Sequence, residues 1–185
     1  MRHVDPYVLL LFALLAGCAP GRGLPPLAAV PAGPYLLGPG DQLRIITVSD
    51  EALTGDFRIS GSGDIELPLL GRFHAGGRSA SGLGRALARA LRRAQLEQDP
   101  SVAVEVERYR PMYVLGEVNK PGAFPYQPGM TVLSAVALAG GFTYRAIERY
   151  AEVVRVEHGN PVAAKATPES TLEPGDVVTI FERRY

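Results

Sequence analysis

Residues 39–45 read Pro39-Gly40-Asp41-Gln42-Leu43-Arg44-Ile45, and residues 174–180 repeat the pattern as Pro174-Gly175-Asp176-Val177-Val178-Thr179-Ile180. Each copy predicts a type II turn leading into a strand: Pro fixes φ at the second turn position and Gly supplies φ > 0 at the third. The Asp side chain then bonds a nearby backbone N–H as the strand begins. The pattern is strand-start chemistry used twice rather than a ligand site. It frames the chain as two halves, each containing sheet.

Working outward, Gln42–Val48 follows the first turn as a strand. Phe57–Ser60 and Asp64–Leu70 read as two strands joined through Gly61-Ser62-Gly63, a hairpin signal. Ser79–Gln98 is the clearest helix. Leu83, Leu87 and Leu91 recur every four residues, Ser79 or Ser81 caps the start, and Asp99-Pro100 stops it. Val102, Val104 and Val106 alternate with Ala103, Glu105 and Glu107, a half-buried strand. The second half opens with Met112–Val118, the turn Asn119-Lys120-Pro121-Gly122 and a short strand, Ala123–Gln127. Pro121-Gly122 reads as a type II turn with Gly122 at φ > 0, where a valine would strain the hairpin by ~1–3 kcal/mol. Thr131 caps a helix over Val132–Ala139 that Gly140-Gly141 ends. Ala151–Glu157 and Val177–Glu182 are the remaining strands. Helices between strands give an α+β fold: a small mixed α/β domain over 35–110, then a second small domain over 111–185.

The N-terminus has a different character. A short head with Arg2 and His3 precedes the apolar run Tyr7–Gly17, which is too short to span a bilayer and ends in small residues. Residues 1–17 are therefore expected to be a signal peptide. Leu15-Ala16-Gly17-Cys18 resembles the lipobox of bacterial lipoproteins, in which cleavage exposes a cysteine that carries lipid; Cys18 is the expected lipid attachment site. Residues 18–34 are rich in Pro and Gly and read as a semi-stiff tether, with structure beginning near Tyr35.

Composition narrows the function. The 185 residues carry 19 Lys+Arg and 19 Asp+Glu, a net charge of zero, which does not suit a nucleic-acid binder. The single cysteine forms no internal disulfide. His3, His74 and His158 are scattered, so no metal site is expected. No catalytic set is expected either. Asp64 and Glu66 share a strand face, but a glycosidase needs an acid raised by an apolar pocket, and these read as solvated. Ser79, Ser81 and Ser134 lack a G-x-S-x-G elbow, and no phosphate-binding loop occurs, so no cofactor is expected. Trp is absent, which disfavours a lectin-like sugar platform. Tyr109, Tyr113, Tyr126 and Tyr144 read chiefly as packing or interface residues. Arg85, Arg89 and Arg92/Arg93 line the polar face of the leucine helix, with Arg78 before it. That face is solvated or meets an acidic partner, an acidic polysaccharide or a neighbouring subunit.

Taken in order, the motifs resemble the bacterial outer-membrane polysaccharide export lipoproteins. The first set runs from Tyr35-Leu36-Leu37-Gly38-Pro39-Gly40-Asp41 through Gly63-Asp64-Ile65-Glu66-Leu67-Pro68 to Asp99-Pro100-Ser101-Val102. The second runs from Val114-Leu115-Gly116-Glu117-Val118-Asn119-Lys120-Pro121-Gly122 through Pro128-Gly129-Met130-Thr131 and Ala139-Gly140-Gly141 to Gly175-Asp176-Val177-Val178. It is similar to a soluble-ligand-binding (SLBB) β-grasp domain. The resemblance implies a non-catalytic, lipid-anchored subunit on the periplasmic face of the outer membrane. Such subunits form homo-oligomeric rings that pass capsular or secreted polysaccharide. The implied partners are an inner-membrane polysaccharide co-polymerase linked to a tyrosine kinase, and the polymer in transit. Larger members add a C-terminal amphipathic pore helix. The residues here end after a strand, so a separate outer-membrane pore protein is a further expected partner. The other class left open is a periplasmic β-grasp lipoprotein that binds a small ligand.

Overall fold

The computed structural model describes residues 20–30, 33–47, 53–157 and 159–183. The signal peptide and Cys18 lie outside the described residues, as do His158 and Val48. The fold is α+β, with strands β1 (Gln42–Thr47), β2 (Gly55–Arg58), β3 (Asp64–Leu67), β4 (Gly71–His74), β5 (Val102–Arg108), β6 (Met112–Gly116), β7 (Gly122–Phe124), β8 (Ala151–Glu157), β9 (Asn160–Ala166) and β10 (Val177–Ile180). Two helices accompany them, α1 (Ala80–Arg93) and α2 (Val132–Leu138).

The first lobe builds its core from alternation. Leu43 and Ile45 of β1 point inward, opposite Val106 and Val104 of β5, in the antiparallel sheet β2-β1-β5. The leucines of α1 close that core: Leu83 and Leu87 are buried against it, and Leu91 is buried beside them. Ser79 caps the helix by accepting the Gly82 N–H at 3.1 Å. The helix ends at Arg93 rather than near Gln98. Gln95 takes a left-handed φ of 56°, and the Leu96 N–H turns back to the Leu91 carbonyl at 3.1 Å.

The hairpin expected across Gly61-Ser62-Gly63 does not form. β2 pairs with β1, whereas β3 pairs with β4 in a separate two-stranded sheet. The turn itself is present, with the Gly63 N–H on the Ser60 carbonyl at 2.9 Å. The strands diverge because Ile59 is claimed by the first Pro-Gly-Asp turn: its N–H reaches the Asp41 carbonyl and its carbonyl accepts the Gly40 N–H, each at 2.9 Å.

The second lobe is a five-stranded sheet in the order β7-β6-β10-β8-β9, antiparallel except for the central β10–β6 pair. Met112, Val114, Val153, Val178 and Ile180 from the sheet meet Val132, Ala135 and Val136 of α2. This is the β-grasp arrangement, a sheet clasping one helix. Thr131 and Ser134 make a reciprocal capping box at the start of α2. Gly140 and Gly141 end it at φ 80° and 87°.

Two expectations fail in this lobe. Gly122 has no positive φ and no atom near its absent Cβ; it is already a strand residue opposite Val114. A valine there meets no strain. The segment before Tyr35 is not a free spacer. The Leu27 N–H reaches the Lys165 carbonyl (2.8 Å), the Lys165 N–H reaches the Pro25 carbonyl (2.7 Å), and Leu27 packs on the second core. The proline-rich chain was already extended, and the open edge of β9 offers it unpaired partners.

Candidate functional site

The two Pro-Gly-Asp turns are built alike. In each, the Asp N–H donates to the carbonyl three residues back: Asp41 to Gly38 (3.2 Å) and Asp176 to Glu173 (3.1 Å). Gly40 and Gly175 sit at φ 96° and 90°. Each carboxylate then accepts the N–H of the same residue, Gly38 for Asp41 and Glu173 for Asp176, both at 2.8 Å. Both side chains are buried, so each recruits more donors.

Those donors join the lobes. Arg110, between β5 and β6, donates its backbone N–H to Asp41 Oδ1 (2.9 Å) and its Nε to the Pro174 carbonyl (2.8 Å). Its Nη1 donates to the Tyr35 hydroxyl (3.0 Å), which in turn donates to Asp41 Oδ2 (2.7 Å). Burial pushes the Tyr35 hydroxyl pKa well above its ordinary value, and the bond to Asp41 adds to the shift. The hydroxyl therefore stays a donor at any physiological pH. One arginine thus touches both repeated turns. The room for it comes from glycine: a Cβ at Gly38 would collide with the guanidinium, and one at Gly175 would sit 2.9 Å from Nε. Beside it Tyr35, Tyr109 and Tyr126 form an edge-to-face chain, with ring centroids 5.0 and 5.5 Å apart, across the junction. Tyr109 and Tyr126 are packing residues, whereas Tyr113 and Tyr144 are exposed.

Asp176 meets a second arginine. Arg155 donates Nε and Nη2 to its two oxygens at 3.0 and 2.7 Å. Nη2 also donates to the Thr171 carbonyl (3.3 Å) and Nη1 to the Ala28 carbonyl (3.4 Å), so this pair also holds the N-terminal segment. Burial disfavours the Arg155 charge, but the bonds and charge of Asp176 outweigh it and raise its pKa. Neither Arg110 nor Arg155 stood out in the sequence. Arg155 left a trace: it occupies an inward position in the alternation Ala151, Val153, Arg155, where a charge needs a buried partner.

The other singled-out residues do not converge. Ser79 and Ser134 are helix caps. Glu66 pairs with Arg72 at the surface (3.3 Å). Asp64 accepts from Ser62 (2.8 Å) and meets His74 Nδ1 at 2.7 Å. The bond from His74, then that from Ser62, holds the Asp64 carboxyl below the usual range, the opposite of what a general acid requires. NMR titration of Asp64 should therefore give a midpoint below that of a free aspartate. His74→Ala should move it upward, and an unmoved midpoint would refute the coupling. In linkage terms, folding gains from this carboxylate above its unfolded pKa and loses that gain as pH falls through the folded one. Among the described residues no group of His, Cys, Asp or Glu could hold a metal. An apolar cavity of about 10 Å³ lies among Ile45, Leu67, Leu87 and Val102, far below the ~300–1,000 Å³ of ligand pockets.

Two domain families match the chain in the order of its lobes. Polysaccharide biosynthesis/export protein matches residues 29–107, and the SLBB domain matches residues 111–164. The chain belongs to the polysaccharide export family. The exopolysaccharide production protein ExoF of Rhizobium meliloti (strain 1021) is 36% identical over 121 residues, covering 60% of this chain and 29% of that protein. The chain thus spans under a third of the curated relative it matches. Through Arg110 the turn that opens the export lobe's sheet and the turn before the last strand of the SLBB lobe share part-buried hydrogen bonds. No helix among the described residues is long and apolar enough to cross a membrane.

Proposed function

We propose that this chain is a lipid-anchored subunit of a ring-shaped export channel for capsular or secreted polysaccharide, on the periplasmic face of the outer membrane. It moves polymer without making or breaking bonds. The observation that carries the reading is the pair of family lobes, in family order, bridged by the hydrogen bonds of Arg110. Two lobes bridged in this way suit head-to-tail packing, because heterologous contacts close into a ring only when each subunit repeats one rotation. Its partner would be an inner-membrane polysaccharide co-polymerase with its tyrosine kinase. ExoF, named for exopolysaccharide production, supports the substrate class.

The anchor fits the docked N-terminal segment. The Tyr150 hydroxyl donates to the Pro20 carbonyl (3.1 Å), two residues after Cys18. Two residues reach about 7 Å, so an acylated Cys18 would hold the Tyr150 end of the SLBB lobe against the membrane. A single acyl chain binds marginally at ~0.8 kcal/mol per buried CH₂, whereas a diacylated cysteine is stable.

Mass spectrometry of the mature N-terminus, with cross-linking of the protein in its membrane, tests both parts. The expected result is an acylated Cys18 and a ladder ending at a multimer; Cys18→Ser should release the protein from the membrane. A retained Met1 or an unmodified Cys18 overturns the anchor. A monomer in membranes and in detergent overturns the ring, and returns the chain to a ligand-binding β-grasp lipoprotein.

A further inference from the structure

The outward face of α1 carries charge of one sign. Residues 73–96 contain Arg78, Arg85, Arg89, Arg92 and Arg93 and no Asp or Glu. Outside α1, Arg22, Arg58, Arg108 and Arg149 are dispersed over the chain rather than aligned on one face, whereas Arg44, Arg72, Arg110, Arg145, Arg155 and Arg183 pair with a carboxylate. On α1 only Arg92 does so, with Asp99 at 3.7 Å, and its Nε also donates to the Gln98 carbonyl. Arg85, Arg89 and Arg93 are exposed and stand at four-residue spacing, opposite the buried Leu83, Leu87 and Leu91. At 1.5 Å rise per residue the three span about 12 Å. Like charges four apart oppose the helix that carries them. Only the last turn gains from the helix dipole, which leaves Arg85 and Arg89 uncompensated. A face serving solubility alone would mix signs.

From this stripe we infer a binding track for an acidic polysaccharide, with the guanidinium groups of Arg85, Arg89 and Arg93 meeting carboxylates on successive sugars. The inference rests on the export reading and adds the charge class of the polymer. Guanidinium forks match carboxylates in geometry and charge. A second protein is the poorer occupant. Protein interfaces centre on aromatic or large apolar anchors, and no large apolar side chain is exposed on α1 itself, the exposed Leu96 lying past its end. A purely cationic, hydrated stripe holds a polyanion weakly and lets it slide, as export requires.

The test titrates the full-length, detergent-solubilised protein with polygalacturonate fragments and, separately, with neutral dextran of similar length. Wild type should bind polygalacturonate, more weakly as salt is added, and should ignore dextran. The variant R85Q/R89Q/R93Q should lose about tenfold in affinity, since three exposed ion pairs of modest strength multiply to that. Its thermal midpoint should not fall. The corresponding triple lysine variant, which keeps the charge without the fork, should bind between wild type and the glutamine variant. Equal binding by wild type and the glutamine variant overturns the track, as does equal binding of dextran. If the glutamine variant instead loses its oligomeric mass while binding per chain is unchanged, the stripe is a subunit contact and the inference is wrong. Failure of the export reading would show elsewhere, as normal polymer secretion in a strain lacking the protein.

Discussion

Asp176→Ala should cost the protein about 3–5 kcal/mol, the usual penalty for stranding one member of a buried ion pair. Arg155 and Asp176 are 5% and 1% exposed. The carboxylate also accepts the Glu173 N–H that shapes the second repeated turn. Truncation leaves the guanidinium with Glu173 at 3.6 Å and two carbonyls as partners. Glu173 is partly solvated, so it offsets only some of the loss and places the effect toward the lower figure. At this chain length that lowers the thermal midpoint by about 10 °C. The N-terminal segment should loosen first, because Arg155 holds the Ala28 carbonyl. Amide exchange at Leu27 would report it. Replacing both members, as D176L/R155M, should recover most of the stability, because a buried pair is often matched by apolar residues of similar volume. A single variant within about 1 kcal/mol of wild type would mean that the pair behaves as a solvated one.

What the sequence made readable was local. The repeated Pro-Gly-Asp turns appear as expected because φ at Gly40 and Gly175, and the Asp bond three residues back, depend on four adjacent residues. The α1 leucines and the Thr131 and Gly140-Gly141 ends of α2 were readable for the same reason. The misreadings concern segments whose own residues carry little signal and whose state is set by the strand they pair with. β9, Asn160–Ala166, contains Pro161 and three alanines and has little strand propensity; it is a strand because β8 pairs with it along its whole length. β4 is four residues without alternation, held by β3. Pro121-Gly122 carries the same turn signature as the true turns, yet pairing with Val114 keeps Gly122 extended. Arg110 shows the limit most clearly. Its bonds to Tyr35, Asp41 and Pro174 bridge 75, 69 and 64 residues. No local pattern marks it, although it lies at the seam between the two motif sets.

The largest functional effect is expected from removing the protein altogether. A polysaccharide cannot cross a bilayer unaided, since each unpaired hydroxyl taken into hydrocarbon costs several kcal/mol. If the chain is the channel subunit proposed above, its loss therefore leaves no diffusive bypass. The deciding measurement is the amount of surface and secreted polysaccharide in a strain that lacks this gene, alongside the same strain complemented by the full chain. Polymer outside the cell should fall to background while extracts still assemble the polymer, and complementation should restore it. Normal secretion in the deletion strain, with no paralogue present, would contradict the export role; loss of polymer synthesis in the extracts would contradict the non-catalytic one.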